Sequence, residues 1–521
     1  MSNINTNNGA VTTLFHLGRN SQGMEASMER IASGLRINNA GDDAAGAAIV
    51  NRMTSQVRGL EHAMRNASDA VSLAQTAEGA LNEVTAVLQR IRELAVQSAN
   101  GVYNGADRQN LNAEVVQLQN ELQRIAETTY FNNTKLLNGS FQDTNFQIGY
   151  QDDHTHTLTI EDVRPSALGE YTLETTTGTS TDATAPTLGT SATTASNGIV
   201  DAEDITVYGK VGSHDFDIED GMSAKEIAEL VTGQETATGV TAAAKTRMQL
   251  TFDTVSGGMT DAVSFKLYGM NTDTSADVTA TVTFGNSTSG SSADLSDLRA
   301  AINSKSGTTG ISATLSDDNQ TIYLYSADGY DIAIEDYDVA GITSSSTSVD
   351  MYVDGVDEDE AAFGLAVTLS DTSITSTASD SARISGQITF HSSDIFSVHS
   401  DSTGAGLFSS APGAASLRSI ADYDILTVSN SSKMLSIIDG ALARIDAERG
   451  DLGATMNRMQ YTINNLSNIV MNTQASRSRI QDSDIAVETS KLTKSQVLQQ
   501  AAQAMLAQAN QTAQSVLSLL Q

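Results

Sequence analysis

The 521 residues predict an α+β protein in which the two ends of the chain form a long helical hairpin, a coiled-coil core, around a β-rich insertion. Three observations carry this. Charge is unevenly divided: residues 1–165 hold 12 basic and 18 acidic side chains, residues 166–416 hold 8 and 36, and residues 417–521 hold 9 and 9, for nets of −6, −28 and 0. The three prolines, Pro165, Pro186 and Pro412, lie at or near the borders of the middle part, so both ends lack the residue that breaks helices. Apolar residues recur at steps of three and four in the ends and alternate in the middle.

In the first arm Leu17, Met24, Met28, Ile31 and Leu35 follow steps of 7, 4, 3 and 4, which line one helix face. In the last arm Leu498, Ala502, Met505, Ala509, Thr512, Val516 and Leu519 alternate steps of 4 and 3. From Ser495 to Gln521, and from Met1 to Gly18, no side chain is an acid, a Lys or an Arg. A free surface helix normally carries salt-bridging charges. Uncharged amphipathic ends are better explained by burial among copies of themselves.

A second helical tier lies further in. Leu60, Met64, Ala67, Val71, Ala74 and Ala77 continue through Leu81 to Ala95 at nearly unbroken steps of three and four, about 60 Å of helix at 1.5 Å per residue. Gly101 to Gly105 breaks it, and Asp107 to Thr129 resumes the pattern. Residues 431–472 repeat it near the other end, and three long helices can pack as a bundle.

The middle part reads as strands and turns, with short alternating runs at 264–268, 320–325 and 331–335 between Gly, Asp and Ser clusters. A constant offset of 71 residues aligns Ser223, Glu226, Ile227 and Gly239 with Asp294, Asp297, Leu298 and Gly310. This predicts two copies of a helix-turn-strand unit, at 221–244 and 292–315. Ser223 with Glu226 three residues on is a capping-box pattern.

Chemistry is largely excluded. Net charge −34 argues against binding a phosphate backbone, so no nucleic acid is expected. The absence of Cys removes thiolate catalysis, disulfides and Cys-ligated metals. No Gly-rich phosphate loop, G-x-S-x-G or H-E-x-x-H occurs, so neither enzyme activity nor a cofactor is expected. No basic, apolar leader opens the chain and no run of about 18 apolar residues exists, so a signal-free route of export and no membrane association are expected. His154 and His156 alternate on a strand and could face one metal, but with only Asp152 and Asp153 nearby they read as a solvated loop. Asp354, Asp357 and Glu358 to Glu360 miss the spacing that aims ligands at calcium and also read as a solvated acidic loop. The pairs Asp42-Asp43 and Asp482, Asp484 read as helix caps and turns rather than a hydrolytic pair.

Glu29-Arg-Ile-Ala-Ser-Gly-Leu-Arg-Ile-Asn38 followed by Asp42-Asp-Ala-Ala-Gly46 resembles the amino-terminal domain of bacterial flagellin, and Arg65 to Asp69, Gln75 to Glu83, Leu88 to Gln97 and Phe131 to Leu137 continue the likeness. Ser476-Arg-Ser-Arg-Ile-Gln-Asp-Ser-Asp484, Leu506 to Asn510 and Val516 to Leu520 are similar to its carboxy-terminal domain. The resemblance implies inner coiled-coil arms (1–44 with 471–521), a helical-bundle domain with a small β-hairpin region (45–165 with 417–470), and a variable outer part (166–416). It further implies polymerisation into the hollow helical filament used for swimming, with the protein itself secreted to the extracellular flagellum. The implied partners are further copies of the chain, the flagellar type III export apparatus and a chaperone, and the filament cap and junction proteins. A host flagellin-sensing Toll-like receptor would engage Gln89, Arg90, Leu94, Gln97 and Glu114. The same seams also fit a flagellin-like hook–filament junction protein, and the insertion leaves room for an added adhesive outer domain.

Overall fold

The computed structural model describes residues 6–175, 187–189, 199, 204–219, 221–253, 259–272, 275–284, 293–316, 318–340, 349–357, 362–370, 380–400 and 413–518. Three helices open the chain, α1 (Asn8–Ser33), α2 (Ala44–Ser98) and α3 (Gly105–Thr128), and two small hairpins follow, β1 (Tyr130–Phe131) with β2 (Thr134–Lys135) and β3 (Thr144–Gln147) with β4 (Thr155–Leu158). The insertion begins with β5 (Gly169–Glu174), β6 (Thr187–Gly189), β7 (Ile205–Tyr208), β8 (Ser213–Phe216), α4 (Ala224–Gly233), α5 (Glu235–Thr238) and β9 (Thr241–Phe252). It continues through β10 (Met259–Tyr268), β11 (Ala276–Phe284), α6 (Ser296–Ser304), α7 (Ser306–Thr309), β12 (Ile311–Leu315), β13 (Ile322–Ser326) and β14 (Ile332–Val339). Then come β15 (Met351–Val356), β16 (Ala362–Leu369), β17 (Ser381–Ile384), β18 (Gln387–Ser392), β19 (Ser397–Ser400), β20 (Gly413–Ala414) and β21 (Ser416–Ser419). The chain returns to helix in α8 (Val428–Gln481) and α9 (Ile485–Ser518).

Two compact units result, one of Met1–Glu78, Phe141–Thr159 and Gly450–Gln521, the other of Gly79–Ser140 and Ile160–Arg449. In the first, Val57, Leu60 and Ala63 of α2 pack on Leu466 and Val470 of α8, and Ala67 and Ala70 on Met459. Small residues at the α2 side let the helices approach closely. The α2 helix is 55 residues long, about 80 Å, because no Pro interrupts it and Asp43 accepts from the Gly46 amide at its start. It begins at Ala44, fifteen residues before the Gly59 that periodicity alone picks out. In the second unit Leu81, Val84, Leu88, Ile91 and Ala95 of α2 are fully buried, as are Val115 and Leu122 of α3 and Ile437, Ile438 and Ala441 of α8. The Gly101 to Gly105 break ends in a reciprocal cap, Asn104 accepting from the Asp107 amide and Asp107 from the Asn104 amide, which restarts the chain as α3.

The insertion is built from two ββααβ runs, β7-β8-α4-α5-β9 and β10-β11-α6-α7-β12. In each, the short second helix ends on a glycine in the left-handed region, Gly239 at φ 75° and Gly310 at φ 69°, which a Cβ would strain. In each, the preceding threonine hydroxyl accepts the amide after that glycine, Thr238 from Val240 and Thr309 from Ile311. The first long helix of the first run carries the Ser223–Glu226 capping box. Eight strands join in one antiparallel sheet, β12-β13-β9-β18-β5-β21 with β15 and β16 added at β9, and its apolar face is buried against two core clusters.

Candidate assembly surface

The motif residues of the two chain ends meet in space. Gly34, in the left-handed region at φ 73°, ends α1, and its carbonyl accepts from the Ser483 amide at 2.9 Å. Leu35 bridges Asp482, and the Arg36 guanidinium donates to the Ile480 carbonyl at 2.6 and 3.1 Å, satisfying a carbonyl at the end of α8. Asp42 accepts from the Asn38 and Asn39 amides and lies 3.8 Å from Arg30; those amides, Asn39 first, hold its carboxylate below the ordinary range. Asp484 accepts from the Ala486 and Val487 amides and so caps α9. The acidic pairs are therefore caps and turns.

From this corner α1 and α9 run together. On α1 the half-buried positions include Ala10, Thr13, Leu17, Asn20, Met24 and Ile31, with Ser27 buried; on α9 they are Leu492, Ser495, Gln499, Ala502, Leu506 and Ala509. Steps of three and four on both helices make one seam. It is locked at one end by Glu488, which accepts from Ser27 at 3.1 Å and Lys491 at 2.7 Å with Arg30 at 3.6 Å. Lys491 first, then Ser27 and Arg30, hold this buried carboxylate below its ordinary range. At the other end Asn20 donates to the Ser495 carbonyl and Asn7 to the Ala509 carbonyl.

The seam expected from sequence divides between two faces. Leu17, Met24, Ile31 and Ala509 lie in the α1–α9 contact, and Leu35 in the corner. Met28, Leu498 and Met505 do not: they are 44%, 48% and 63% exposed, beside Phe15 at 68%. On α9 the contact with α1 takes Leu492 and Leu506 together with Ser495, Gln499 and Ala502, while Leu498 and Met505 stay exposed beside it. Val516 lies in α9 beyond the described side chains, and Leu519 lies outside the described residues.

On α2 and α3 Arg90 donates to Glu114 at 2.9 Å and to Glu93 at 2.8 Å, and these two carboxylates, Glu93 first, raise its pKa further. Gln89, Arg90, Gln97 and Glu114 are exposed, and Gln97 donates to the Tyr103 hydroxyl. Leu94 does not share that surface. At 1% exposed it packs into the bundle, because a step of four from Arg90 carries it round towards Ile91 and Ala95, which are buried.

Among the described residues no group of three or more His, Asp or Glu could hold a metal ion. His156 sits in β4, where burial first and then Arg458 push its imidazole pKa down; His154 lies outside the strand against Tyr150. Asp354 corrects the solvated-loop reading. It is buried within β15 beside Gln249, which donates to it at 3.3 Å, and burial pushes its carboxyl up. Glu358 to Glu360 lie outside the described residues. No described helix is long and apolar enough to cross a membrane.

Terminal helices that close on each other along one seam and leave large apolar side chains exposed beside it, with residues 1–18 and 495–521 free of acids, Lys and Arg, define a self-associating structural protein. Residues 4–142 match the bacterial flagellin N-terminal helical region and residues 435–520 the bacterial flagellin C-terminal helical region. The chain is 38% identical over 518 residues to the B-type flagellin of Pseudomonas aeruginosa, covering 99% of each. It is 34% identical over 519 residues to flagellin A of Vibrio cholerae, covering 100% of this chain and 99% of that one, and 34% over 525 residues to flagellin of Salmonella choleraesuis, covering 99% of each. The chain belongs to the bacterial flagellin family. Its function is accordingly that of a structural, non-enzymatic subunit that polymerises into the extracellular flagellar filament of motile bacteria.

Proposed function

We propose that copies associate through the large apolar side chains that α1 and α9 leave exposed, Phe15, Met28, Leu498 and Met505, while Leu17, Met24, Ile31 and Ala509 serve the contact within each chain. The observation that supports this is the exposure of large apolar side chains on helices that lack charge from Ser495 onward. Contacts of one such patch with a different patch on the next copy repeat without closing, which gives an open polymer. Residues 1–44 with 471–521 then act as polymerising arms, 45–165 with 417–470 as the helical-bundle domain, and the −28 insertion as the solvated part. Each large apolar side chain that becomes buried contributes about 1.5–3 kcal/mol. Replacing both Leu498→Glu and Met505→Glu should therefore raise the critical concentration for polymerisation roughly a hundredfold or more. Sedimentation and electron microscopy measure it, with circular dichroism showing that the monomer is intact; filaments at the normal concentration would refute this surface.

The remaining partners follow from the family. A chain without Cys suits passage in an unfolded state through the flagellar type III export apparatus, delivered by a chaperone, with cap and junction proteins meeting the filament ends. The exposed polar cluster of Gln89, Arg90, Gln97 and Glu114 is the surface a host Toll-like receptor would engage on the monomer, with Leu94 beneath it as packing support.

A further inference from the structure

Charge is scarce on the two arm helices, and most of it is engaged inside the chain. The acids and cations of α9 are Glu488, Lys491 and Lys494. Glu488 is buried against Ser27 and pairs with Lys491; on α1 Arg30 turns to Glu488 and Asp42, and Glu29 accepts from the Asn39 side chain. Among the described residues, the exposed charges of these helices left without an ion pair or a side-chain hydrogen bond are Arg19 and Glu25 of α1 and Lys494 of α9.

The contacts of the hairpin fix where Glu25 and Lys494 stand. Asn20 lies against Ser495 and Ser27 against Glu488, so Lys494 is level with position 21, about 6 Å along the axis from Glu25. Glu25 follows the seam position Met24 by one residue, whereas Lys494 precedes the seam position Ser495 by one. In antiparallel helices these two steps, each about 100° of turn, lead to opposite flanks of the pair. Each flank also carries an exposed apolar side chain at the same distance from its charge. Leu14 lies eleven residues from Glu25 and Met505 eleven from Lys494, about three turns in both cases, and the two are 53% and 63% exposed.

A contact that set one flank against itself would bring like charges together, Lys494 to Lys494 or Glu25 to Glu25. Setting one flank against the other joins opposite charges. In copies that lie side by side in the same direction, α1 of one runs antiparallel to α9 of the next, so a single axial shift of about 6 Å satisfies the charged and the apolar match at once. We propose that Glu25 of one copy pairs with Lys494 of the next while Leu14 seats against Met505, a pairing that rests on the reading that α1 and α9 carry the contacts between copies. Contacts between two different flanks repeat from copy to copy, and where the rotation does not close they give an open polymer.

The test is a charge swap in the full chain. Glu25→Lys and Lys494→Glu should each raise the critical concentration at low salt at least about tenfold, because each sets like charges together. The double variant should return to within about threefold of the parent chain, and the single-variant defects should shrink in about 1 M salt. Sedimentation reads the critical concentration, and circular dichroism of the monomers shows that the helices are intact. Arg19→Glu combined with Glu25→Lys has the same net charge as the swap and should not restore polymerisation. Parent-like polymerisation of both single variants, a double variant no better than either single one, or equal restoration by Arg19→Glu would overturn the pairing. The Leu498→Glu, Met505→Glu chain separates this from the wider reading. If it loses filaments while Glu25→Lys and Lys494→Glu do not, the pairing fails and the surface stands; if all of them polymerise normally, the surface itself fails.

Discussion

Along α9 the apolar side chains of Leu498 and Met505 stay exposed beside the contact with α1, whereas in the insertion Phe284, Tyr337 and Phe390 are fully buried. Both regions alternate apolar and polar positions, one with a helical period and one with a period of two. The insertion closes its core inside one chain: strands from two ββααβ runs stack on α4 and α6, and charge is left for the solvent side. The arms close only one seam, in which Leu17, Met24, Leu492 and Leu506 are half-buried among Ser, Gln, Asn and Ala. Burial that a chain completes by itself gives a domain, and burial it leaves half done, on a surface without charge to keep copies apart, gives a polymer.

The sharpest way to break this comparison is to remove one side of it. Deleting Ser495 to Gln521 takes away Leu498 and Met505 and the α9 side of the inner seam beyond Leu492, so filaments should vanish while the remainder stays soluble; full-length filaments by electron microscopy would defeat the reading. Replacing the insertion should do the opposite. Glu174 and Ala415 lie close to the end of the β5–β21 pairing, in which Thr172 opposes Ser416. A short turn joining Glu174 to Ala415 therefore keeps that ladder, and the deletion protein should still polymerise. Failure to polymerise despite a native helical signal would assign essential contacts to the insertion.

A smaller effect separates the exposed polar cluster of α2 and α3 from the buried residues beneath it. In a receptor-reporter assay with purified monomer, Arg90→Ala should lower signalling about tenfold, because charge-assisted contacts are the strong ones. The Arg90 side chain is exposed and paired only with exposed carboxylates, so the fold should not change. Leu94→Ala should act differently, lowering thermal stability by opening a cavity in the bundle. An unchanged response to Arg90→Ala would exclude that surface.

What could be read in advance follows the same division. The long helices were legible because each apolar step of three or four is local, and the Gly101 to Gly105 break because glycine leaves its mark in place. The start of α2 at Ala44 was not, since Asp43 and Gly46 set it through a cap rather than through periodicity. The α9 stripe was legible as apolar but its direction was not: Leu498 and Met505 stay exposed, while Leu492 and Leu506 share the intrachain contact with Ser495 and Gln499. Asp354 was misplaced because its acidic neighbours disguise a strand that is fixed by pairing with β9, about a hundred residues away.

The two regions should finally answer pH in opposite senses, through one buried carboxylate each. Glu488 in the α1–α9 hairpin is held below its ordinary value of 4.5 by Lys491, Ser27 and Arg30. It contributes stability that is complete above the unfolded value and is lost as pH falls through the lower folded one. Asp354 in β15 is pushed above its ordinary value of 3.8 by burial, which outweighs the side chain of Gln249, donating at 3.3 Å, and the Gly355 backbone. Its ionised form is a penalty, present in full above the raised value and relieved as pH falls through it towards 3.8. At neutral pH Asp354→Asn should therefore raise the insertion's melting temperature by roughly 2–4 °C, a neutral amide costing less to bury. Glu488→Gln should instead loosen the hairpin, seen as faster amide exchange across Leu492 to Leu506. Calorimetry of the two variants at neutral pH and near pH 4 checks the signs, since both differences from the parent chain should shrink as the carboxylates protonate. A melting temperature lowered by Asp354→Asn would mean that the ionised form is stabilised in β15, and the contrast between the two regions would fail at this pair.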